Sequence, residues 1–301
     1  METIFLLKIF KIIFKEILMD VRKAIFAGSW YPGSEQACRQ EIEQFIKHNV
    51  SVSSKNIKRV GGIVPHAGWR FSGQIACNVI YCLKGLQDPD VVVVFGMHLP
   101  ADAPNIMMPK GAWETPLGLI RVHEELSQML NKRFNFNIET TTEYYQDNTI
   151  ELQLPLIKYF FPDAKIVAMG VPANLSSIEI GKMVVKYANQ LGLSIKVLGS
   201  TDLTHYGPHY GMTSKGGGRD AVNWVRYEND RRVVELMMDM EPEKVINEAM
   251  INKNACCPGA VAAAISAIKQ LGATESESLV YATSYDKNPS DSFVGYAGII
   301  F

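Results

Sequence analysis

The sequence has almost no excess charge of either sign. Its 301 residues include 30 Lys and Arg against 31 Asp and Glu, which leaves a formal net charge of -1. Nucleic-acid binding depends on clustered basic side chains that neutralise phosphates, and the basic residues here are dispersed among acidic ones. We therefore expect no nucleic-acid partner.

Cysteine is scarce, and its positions show no paired spacing. The five cysteines are Cys38, Cys77, Cys82, Cys256 and Cys257. An odd, scattered set of this kind does not form a disulfide framework, and free thiols persist in a reducing compartment. We expect a cytoplasmic protein.

The chain also lacks an uncharged apolar run long enough to cross a bilayer. Its most apolar stretch, residues 1–18, carries Lys8, Lys11 and Lys15 at helical spacing, whereas a spanning helix needs about 20 predominantly apolar residues. The stretch has no secretory cleavage site. Three interpretations stay open: a true start at Met19, an extension that packs on the protein, or an amphipathic anchor in a membrane surface.

Beyond that extension, no internal repeat, low-complexity segment or linker interrupts the sequence. We therefore assign residues 19–301 to a single domain. Near-continuous runs of Val, Ile and Leu bounded by Gly or Pro are typical of strands buried on both faces of a parallel sheet. Such runs lie at 59–64, 91–96, 165–170 and 194–199.

Helical spacing and turn residues separate these strands. Helices are predicted at 35–46, 74–84, 123–131, 176–190, 220–238 and 259–271, a β-hairpin at 104–121 and two closing strands at 279–285 and 293–301. The alternation of strand and helix predicts βαβ units. The fold class is therefore α/β, with a mostly parallel central sheet.

Polar residues able to do chemistry follow three of the strands. His66, His98 and Asp202 each come just after a strand, and His205 lies three residues beyond Asp202. Open α/β sheets bind ligands at the carboxyl ends of their strands, so these side chains are expected to meet in one crevice. A histidine in such a loop is more often structural than a ligand, but two at matching strand ends favour function.

Cys256 precedes Pro258, which can begin a helix. A helix N-terminus stabilises a thiolate, so this cysteine is a candidate nucleophile or metal ligand; the alternative is a small buried apolar residue. Adjacent residues point apart, so only one of Cys256 and Cys257 is expected to face the crevice. Asp202 beside His205 would orient an imidazole for acid–base work, although Asp also closes turns.

Several motifs in register resemble the Memo-like family, the B protein of the AmmeMemoRadiSam system. The shared segments are VPHAGWRFSG at 64–73, FGMH at 95–98, WETPLG at 113–118, STDLTHYG at 200–207, ACC at 255–257 and VGYA at 294–297. The resemblance implies a three-layer αβα sandwich similar to class III extradiol dioxygenases. It also implies a metal held by His66, His98 and Cys256, with Asp202 and His205 beside it as catalytic groups.

The same resemblance implies iron or copper as the metal, with zinc as a further candidate. Trp69, Asn148, Glu151 and Tyr206 are expected to line the pocket. Asn148 lies in DNTIE at 147–151, where the family often has a histidine, so this chain departs from the family pattern at that position.

Three functions follow as hypotheses. The first is a metal-binding, dioxygenase-like redox enzyme that activates oxygen at a His2Cys centre. The second is an accessory protein that binds a small molecule or peptide without turnover. The third is a thiol hydrolase that uses Cys256, His205 and Asp202. AMMECR1-type and radical-SAM proteins are the partners that the resemblance implies.

Overall fold

The computed structural model describes residues 20–48 and 59–301. The predicted extension at residues 1–18 lies outside the described residues. Within the described part, no helix is long and apolar enough to cross a membrane.

Twelve strands occur in the described residues, and nine of them form one sheet. In chain order they are β1 Val21–Arg22, β2 Gly61–Val64, β3 Val91–Gly96, β4 Ile106–Met107, β5 Ala112–Trp113, β6 Ile120–Arg121, β7 Asn137–Ile138, β8 Lys165–Gly170, β9 Ile195–Ser200, β10 His205–Tyr206, β11 Glu277–Thr283 and β12 Phe293–Ile300. The large sheet has the order β10-β12-β2-β9-β3-β8-β4-β7, with β11 paired to β12. Strands β1, β5 and β6 form a separate small sheet.

Helices pack on both faces of the large sheet. The α-helices of the described residues are α1 Glu35–Lys47, α2 Trp69–Cys82, α3 Glu124–Phe134, α4 Asn148–Glu151, α5 Leu154–Phe160, α6 Leu175–Gln190, α7 Gly218–Trp224, α8 Asp230–Met238, α9 Pro242–Asn252, α10 Pro258–Gln270 and α11 Ser284–Lys287.

Strand β3 shows why the sheet lies in the middle. Val91, Val93 and Phe95 belong to the apolar core that includes α6 and α10, whereas Val92 and Val94 belong to the core that includes α1 and α2. Successive side chains of a strand point to opposite faces, so an unbroken apolar run buries both faces. The predicted three-layer αβα architecture with a mostly parallel sheet is confirmed.

Four central strands run in the same direction. β2 pairs with β9, β9 with β3, and β3 with β8, all parallel. Val64 lies opposite Ser200, and Phe95 lies opposite Gly199. The carboxyl ends of these strands therefore meet at one edge, and the loops that begin there lie side by side.

Several boundaries differ from the predicted ones. The helix predicted at 220–238 is interrupted by a π-helical turn at Val225–Asn229, and α9 was not predicted. Helix α2 begins at Trp69 rather than Gln74, because the chain already turns at Gly68 and the Trp69 N–H donates to the Trp30 carbonyl oxygen, 2.8 Å away. The hairpin predicted at 104–121 is β5–β6 and pairs with β1, while β4 belongs to the large sheet and lies between β8 and the edge strand β7.

Helices α6 and α10 approach each other closely at Gly181. A Cβ atom added there would lie 2.1 Å from the backbone oxygen of Ala263 and 3.1 Å from Cβ of Ser266. A backbone atom inside a helix cannot move aside independently, so the two helices would have to separate. The position of α10 therefore depends on glycine at this site.

We predict that Gly181→Ala lowers the free energy of unfolding by about 1–3 kcal/mol, the usual cost of overpacking. Helix propensity alone predicts the opposite sign, a gain of about 1 kcal/mol, so urea denaturation distinguishes the two effects. Gly85→Ala is the control, because an added Cβ there meets nothing closer than 3.8 Å. A stabilised Gly181→Ala protein would contradict the close approach.

Candidate functional site

Four potential ligand atoms converge at the carboxyl edge of the parallel strands. His66, His98, Cys256 and Cys257 each offer one atom, and all four atoms lie within 4.8 Å of one another. Nε2 of His66 lies 3.1 Å from Nε2 of His98 and 3.2 Å from Sγ of Cys256. This His/Cys cluster could hold a metal ion.

His66 is buried after β2, and its hydrogen bonds fix its tautomer. The Ser200 hydroxyl donates to the carbonyl oxygen of Thr149, 2.7 Å away. Because that hydroxyl has one proton, it must accept from Nδ1 of His66, which lies 3.0 Å away. Nδ1 therefore carries hydrogen, and Nε2 can present a lone pair to the cluster.

His98 is oriented in the same way by a carboxylate. Its Nδ1 lies 2.9 Å from Oδ2 of Asp147, which also accepts from the His98 backbone N–H. The side chain of Asp147 is 9% exposed and that of His98 is 43% exposed. Although burial alone would lower it, the pKa of His98 is raised by the hydrogen bond to Asp147. Nε2 of His98 again faces the cluster.

The loop before α10 is tied to the loop after β9 by reciprocal bonds. The Cys256 N–H donates to the Asp202 carbonyl oxygen, 3.1 Å away, and the Asp202 N–H lies 3.3 Å from Sγ of Cys256. Burial alone would raise the pKa of Cys256, but Cys257, His66 and His98 together hold it well below its ordinary value. The lowered pKa favours the thiolate form of Cys256 over the thiol.

Cys257 behaves differently from its neighbour. Its Sγ lies 3.7 Å from Sγ of Cys256, but burial raises the pKa of the Cys257 thiol well above its ordinary value. A thiolate, rather than a thiol, is the metal ligand and the nucleophile. Both sulfur atoms thus lie in the cluster, but the pKa shifts favour Cys256 over Cys257 as the ligand.

Asp202 and His205 do not form a hydrogen-bonded pair. Oδ1 of Asp202 accepts from the His66 backbone N–H at 2.8 Å, and burial raises the pKa of Asp202. Nδ1 of His205 instead donates to the Leu203 carbonyl oxygen at 3.1 Å. His205 is half-buried and packs edge-on against Tyr210. Its ring is therefore oriented by the backbone and by Tyr210.

A cleft of about 810 Å³ lies beside the cluster and includes Cys256 in its wall. Cys256 and His205 lie in its wall. The remaining wall comes from the loop after β3, the turn after β10 and the junction of α9 with α10, and includes Leu99, Tyr210 and Lys253. Volumes of this size are typical of small-molecule sites.

Of the residues expected to line the pocket, Asn148 contacts a member of the cluster, although it is not among the residues that line the cleft. Its Nδ2 donates to the His66 carbonyl oxygen at 2.8 Å. Trp69 and Tyr206 are instead buried in apolar packing, where the Trp69 indole donates to the Leu152 carbonyl oxygen and Tyr206 stacks on Phe293.

Glu151 is likewise buried away from the cleft wall. It accepts hydrogen bonds from the Phe26 N–H and the Tyr31 hydroxyl. Trp69, Glu151 and Tyr206 therefore support the structure around the site, and none of them lines the cleft described above. Long, partly apolar side chains near a site are easily assigned to its surface from sequence, because spacing alone does not show which way they point.

The sequence reasoning missed Ser200, Asp147 and Thr149. The Thr149 hydroxyl donates to Asp147 and accepts from the Met97 N–H at 2.7 Å, which fixes the loop that carries His98. Met97 itself has a left-handed backbone with φ of 69°. Asp147 directly before a helix is a recognisable N-cap, but nothing in the sequence shows that it also reaches His98.

A second buried carboxylate anchors the loop between Asp202 and His205. Asp230 is fully buried after the π-helical turn, and it accepts from the Thr204 N–H at 3.0 Å, from the Thr204 hydroxyl and from the Tyr281 hydroxyl at 2.7 Å. Burial raises the pKa of Asp230 to about 6. Asp230 therefore joins α8, β11 and the site loop.

The fold and the site first define a class: an αβα protein with a His/Cys cluster, able to hold a metal ion, at the carboxyl edge of a parallel sheet. The sequence model of the Memo-like protein family matches residues 22–300. The chain belongs to the Memo-like family, as its motifs had indicated.

Related proteins match this chain in sequence over nearly its whole length. A MEMO1 family protein of Pyrococcus furiosus is 32% identical over 289 residues, covering 93% of this chain and 98% of the relative. A MEMO1 family protein of Pyrobaculum aerophilum is 30% identical over 293 residues, covering 94% of this chain and 99% of the relative. Among solved structures, an uncharacterized protein of Escherichia coli K12 matches 80% of this chain and 98% of its own chain, with a TM-score of 0.49 and 11% identity.

We predict that Asp230→Asn changes how stability depends on pH. The folded pKa of about 6 lies above the ordinary carboxyl value of 3.8, so the folded state holds this proton more tightly than the unfolded state does. The wild-type protein therefore loses stability from this group as the pH rises from about 4 to 6, by roughly 2–3 kcal/mol. Asparagine cannot ionise, so that loss disappears.

The measurement is urea denaturation of both proteins at pH 4.5, 5.5 and 7. The stability of Asp230→Asn relative to wild type should rise across this range. A difference that is the same at all three pH values would show that Asp230 does not titrate with a raised pKa.

Proposed function

We propose that the chain is a metal-binding protein in which His66, His98 and Cys256 hold one transition-metal ion at the inner end of a substrate cleft. The observation that carries this proposal is the convergence of two imidazole nitrogens and the Cys256 sulfur, with separations of 3.1 and 3.2 Å about Nε2 of His66. Lone pairs that face each other this closely repel unless a proton or a cation lies between them.

The donor set fits such an ion. Ligand bonds of about 2.0–2.3 Å from imidazole nitrogen and thiolate sulfur are compatible with these separations. Ser200 and Asp147 hold the two rings from behind, as partners of metal-binding histidines commonly do. Imidazole and thiolate suit iron, copper and zinc; we place iron or copper first, because the dioxygenase-like fold points to redox chemistry.

The function that we infer for this centre is metal-dependent oxidoreduction, for which the bound ion would supply a redox-active Lewis acid. The protein would supply the rest. Because Nδ1 of His205 donates to the Leu203 carbonyl oxygen, Nε2 of that ring can accept a proton from a substrate in the cleft, as a general base. Asp202 holds the His66 backbone and the Cys256 thiolate in place.

The two other hypotheses differ in how well the contacts support them. An accessory protein that binds a ligand or peptide without turnover would use the same cleft, and only an activity measurement distinguishes it. A hydrolytic triad of Cys256, His205 and Asp202 has less support, because Cys256 contacts His66 and His205 bonds to Leu203. A cytoplasmic location and AMMECR1-type or radical-SAM partners remain part of the proposal.

We predict that Cys256→Ala lowers the metal content of the purified protein at least tenfold. Removing a ligand should cost at least as much affinity as changing a residue behind one, about 10- to 100-fold. Elemental analysis of protein purified without added metal gives the metal-to-protein ratio. Cys82→Ala is the control, since Cys82 ends α2 outside the cluster. A parent protein that stays metal-free even after incubation with Fe(II), Cu(II) or Zn(II) would overturn the proposal.

We also predict that His205→Ala keeps its metal but loses turnover. His205 lies in the cleft wall and is not one of the four converging residues. The paired measurements are elemental analysis and oxygen consumption with candidate substrates. If the variant comes out metal-free while the parent is loaded, then His205 is a ligand and the His2Cys assignment is wrong.

A further inference from the structure

The cleft beside the cluster has an uneven charge. Lys253 is the one ammonium among the described residues that line it, and no Asp, Glu or Arg occurs in that lining. Lys253 is exposed, and it forms no ion pair with any residue in the described part of the chain. The cleft therefore presents one ammonium that has no ion-pair partner within residues 20–48 and 59–301, and the Cys256 sulfur lies elsewhere in the same wall.

Lys253 has a backbone conformation that is unusual for lysine. Lys253 ends α9 in the left-handed conformation, with φ of 50° and ψ of 40°. Glycine or asparagine is the usual residue at such a position, because a larger side chain is strained there. A residue that opposes its backbone preference beside a cleft is a candidate for a functional role.

The rest of the cleft wall is largely apolar. Tyr210 is 48% exposed and Met250 is 53% exposed, so two large apolar side chains lie open in the same cleft. Leu99 and Pro100 contribute to the wall, and Cys256 and His205 lie in it as well. An apolar ligand would cover this surface while its polar end reached Lys253.

We propose that the cleft binds a small organic acid, with an apolar body against Tyr210, Met250 and Leu99 and a single carboxylate on Lys253. The inference rests on the proposed function, because it names the substrate class of the same site. One ammonium without an arginine suits a monoanion; phosphate groups commonly take a bidentate Arg or several donors. Binding in this way would hold the apolar body next to Cys256 and His205.

The test compares two probes of nearly equal shape, 3-phenylpropionate and the uncharged 3-phenylpropanamide, by isothermal titration calorimetry at low ionic strength. We expect the wild-type protein to bind the carboxylate about fivefold more tightly, the upper range for a partly exposed ion pair. Lys253→Gly should bind both probes equally, and Lys253→Arg should keep the preference. Glycine suits the left-handed backbone, so Lys253→Gly should keep its unfolding midpoint.

Lys244→Ala is the matched control, since Lys244 is an exposed lysine of α9 that pairs with Glu241. It should keep the preference for the carboxylate. Repeating the titrations in the Cys256→Ala protein, which lacks a proposed metal ligand but keeps Lys253, tests the substrate class separately from the metal site. If the parent proves to hold no metal but the preference still depends on Lys253, the substrate class stands and the metal proposal fails.

Three results would overturn the inference whatever the metal content. They are equal affinity of the wild-type protein for the two probes, a preference that persists in Lys253→Gly, and no detectable binding of either probe at millimolar concentrations.

Discussion

The parallel pairing of β2, β9 and β3 is the constraint on which the rest of this structure depends. It places Val64 beside Ser200 and Phe95 beside Gly199, so the loops that carry His66, Asp202 and His98 begin at the same edge. The apolar cores on the two faces hold the strands in this register, because a slip of one residue would move each buried side chain into the opposite core, where it does not fit the packing. The site geometry is therefore a product of core packing.

Around the site, a layer of polar groups fixes the orientation of the side chains in the cluster through hydrogen bonds. Ser200 and Asp147 fix the tautomers of His66 and His98, and Asp202 holds both the His66 backbone and the Cys256 sulfur. Ser200, Asp147 and Asp202 also form hydrogen bonds with backbone groups of neighbouring segments. Any substitution that removes one of them leaves a buried donor or acceptor without its partner, which is costly at low local polarity.

The sequence predicted the sheet well, because its strands are buried on both faces and their aliphatic runs are unmistakable. It predicted β3 and β8 at their observed limits, and it brought His66, His98 and Cys256 together through motifs. It did not predict the break at Val225–Asn229, because a π-helical turn shifts the helical spacing by only one residue, which a short helix on each side does not reveal. The contacts of Ser200 with His66 and of Asp147 with His98 join residues that are 134 and 49 positions apart, and no local pattern encodes such pairings.

The order in which the chain is made sets when the site can exist. Cys256 contacts His66 across 190 positions, which a ribosome takes roughly 10–40 s to add. Strand β2 also waits for β12, near the end of the chain, to cover its other edge. During this interval the two imidazoles have no thiolate beside them and no completed sheet beneath them. The complete His/Cys cluster, which could hold a metal ion, therefore exists only after Cys256 has been added and the sheet has closed, so any ion that it holds would bind after synthesis of this part of the chain.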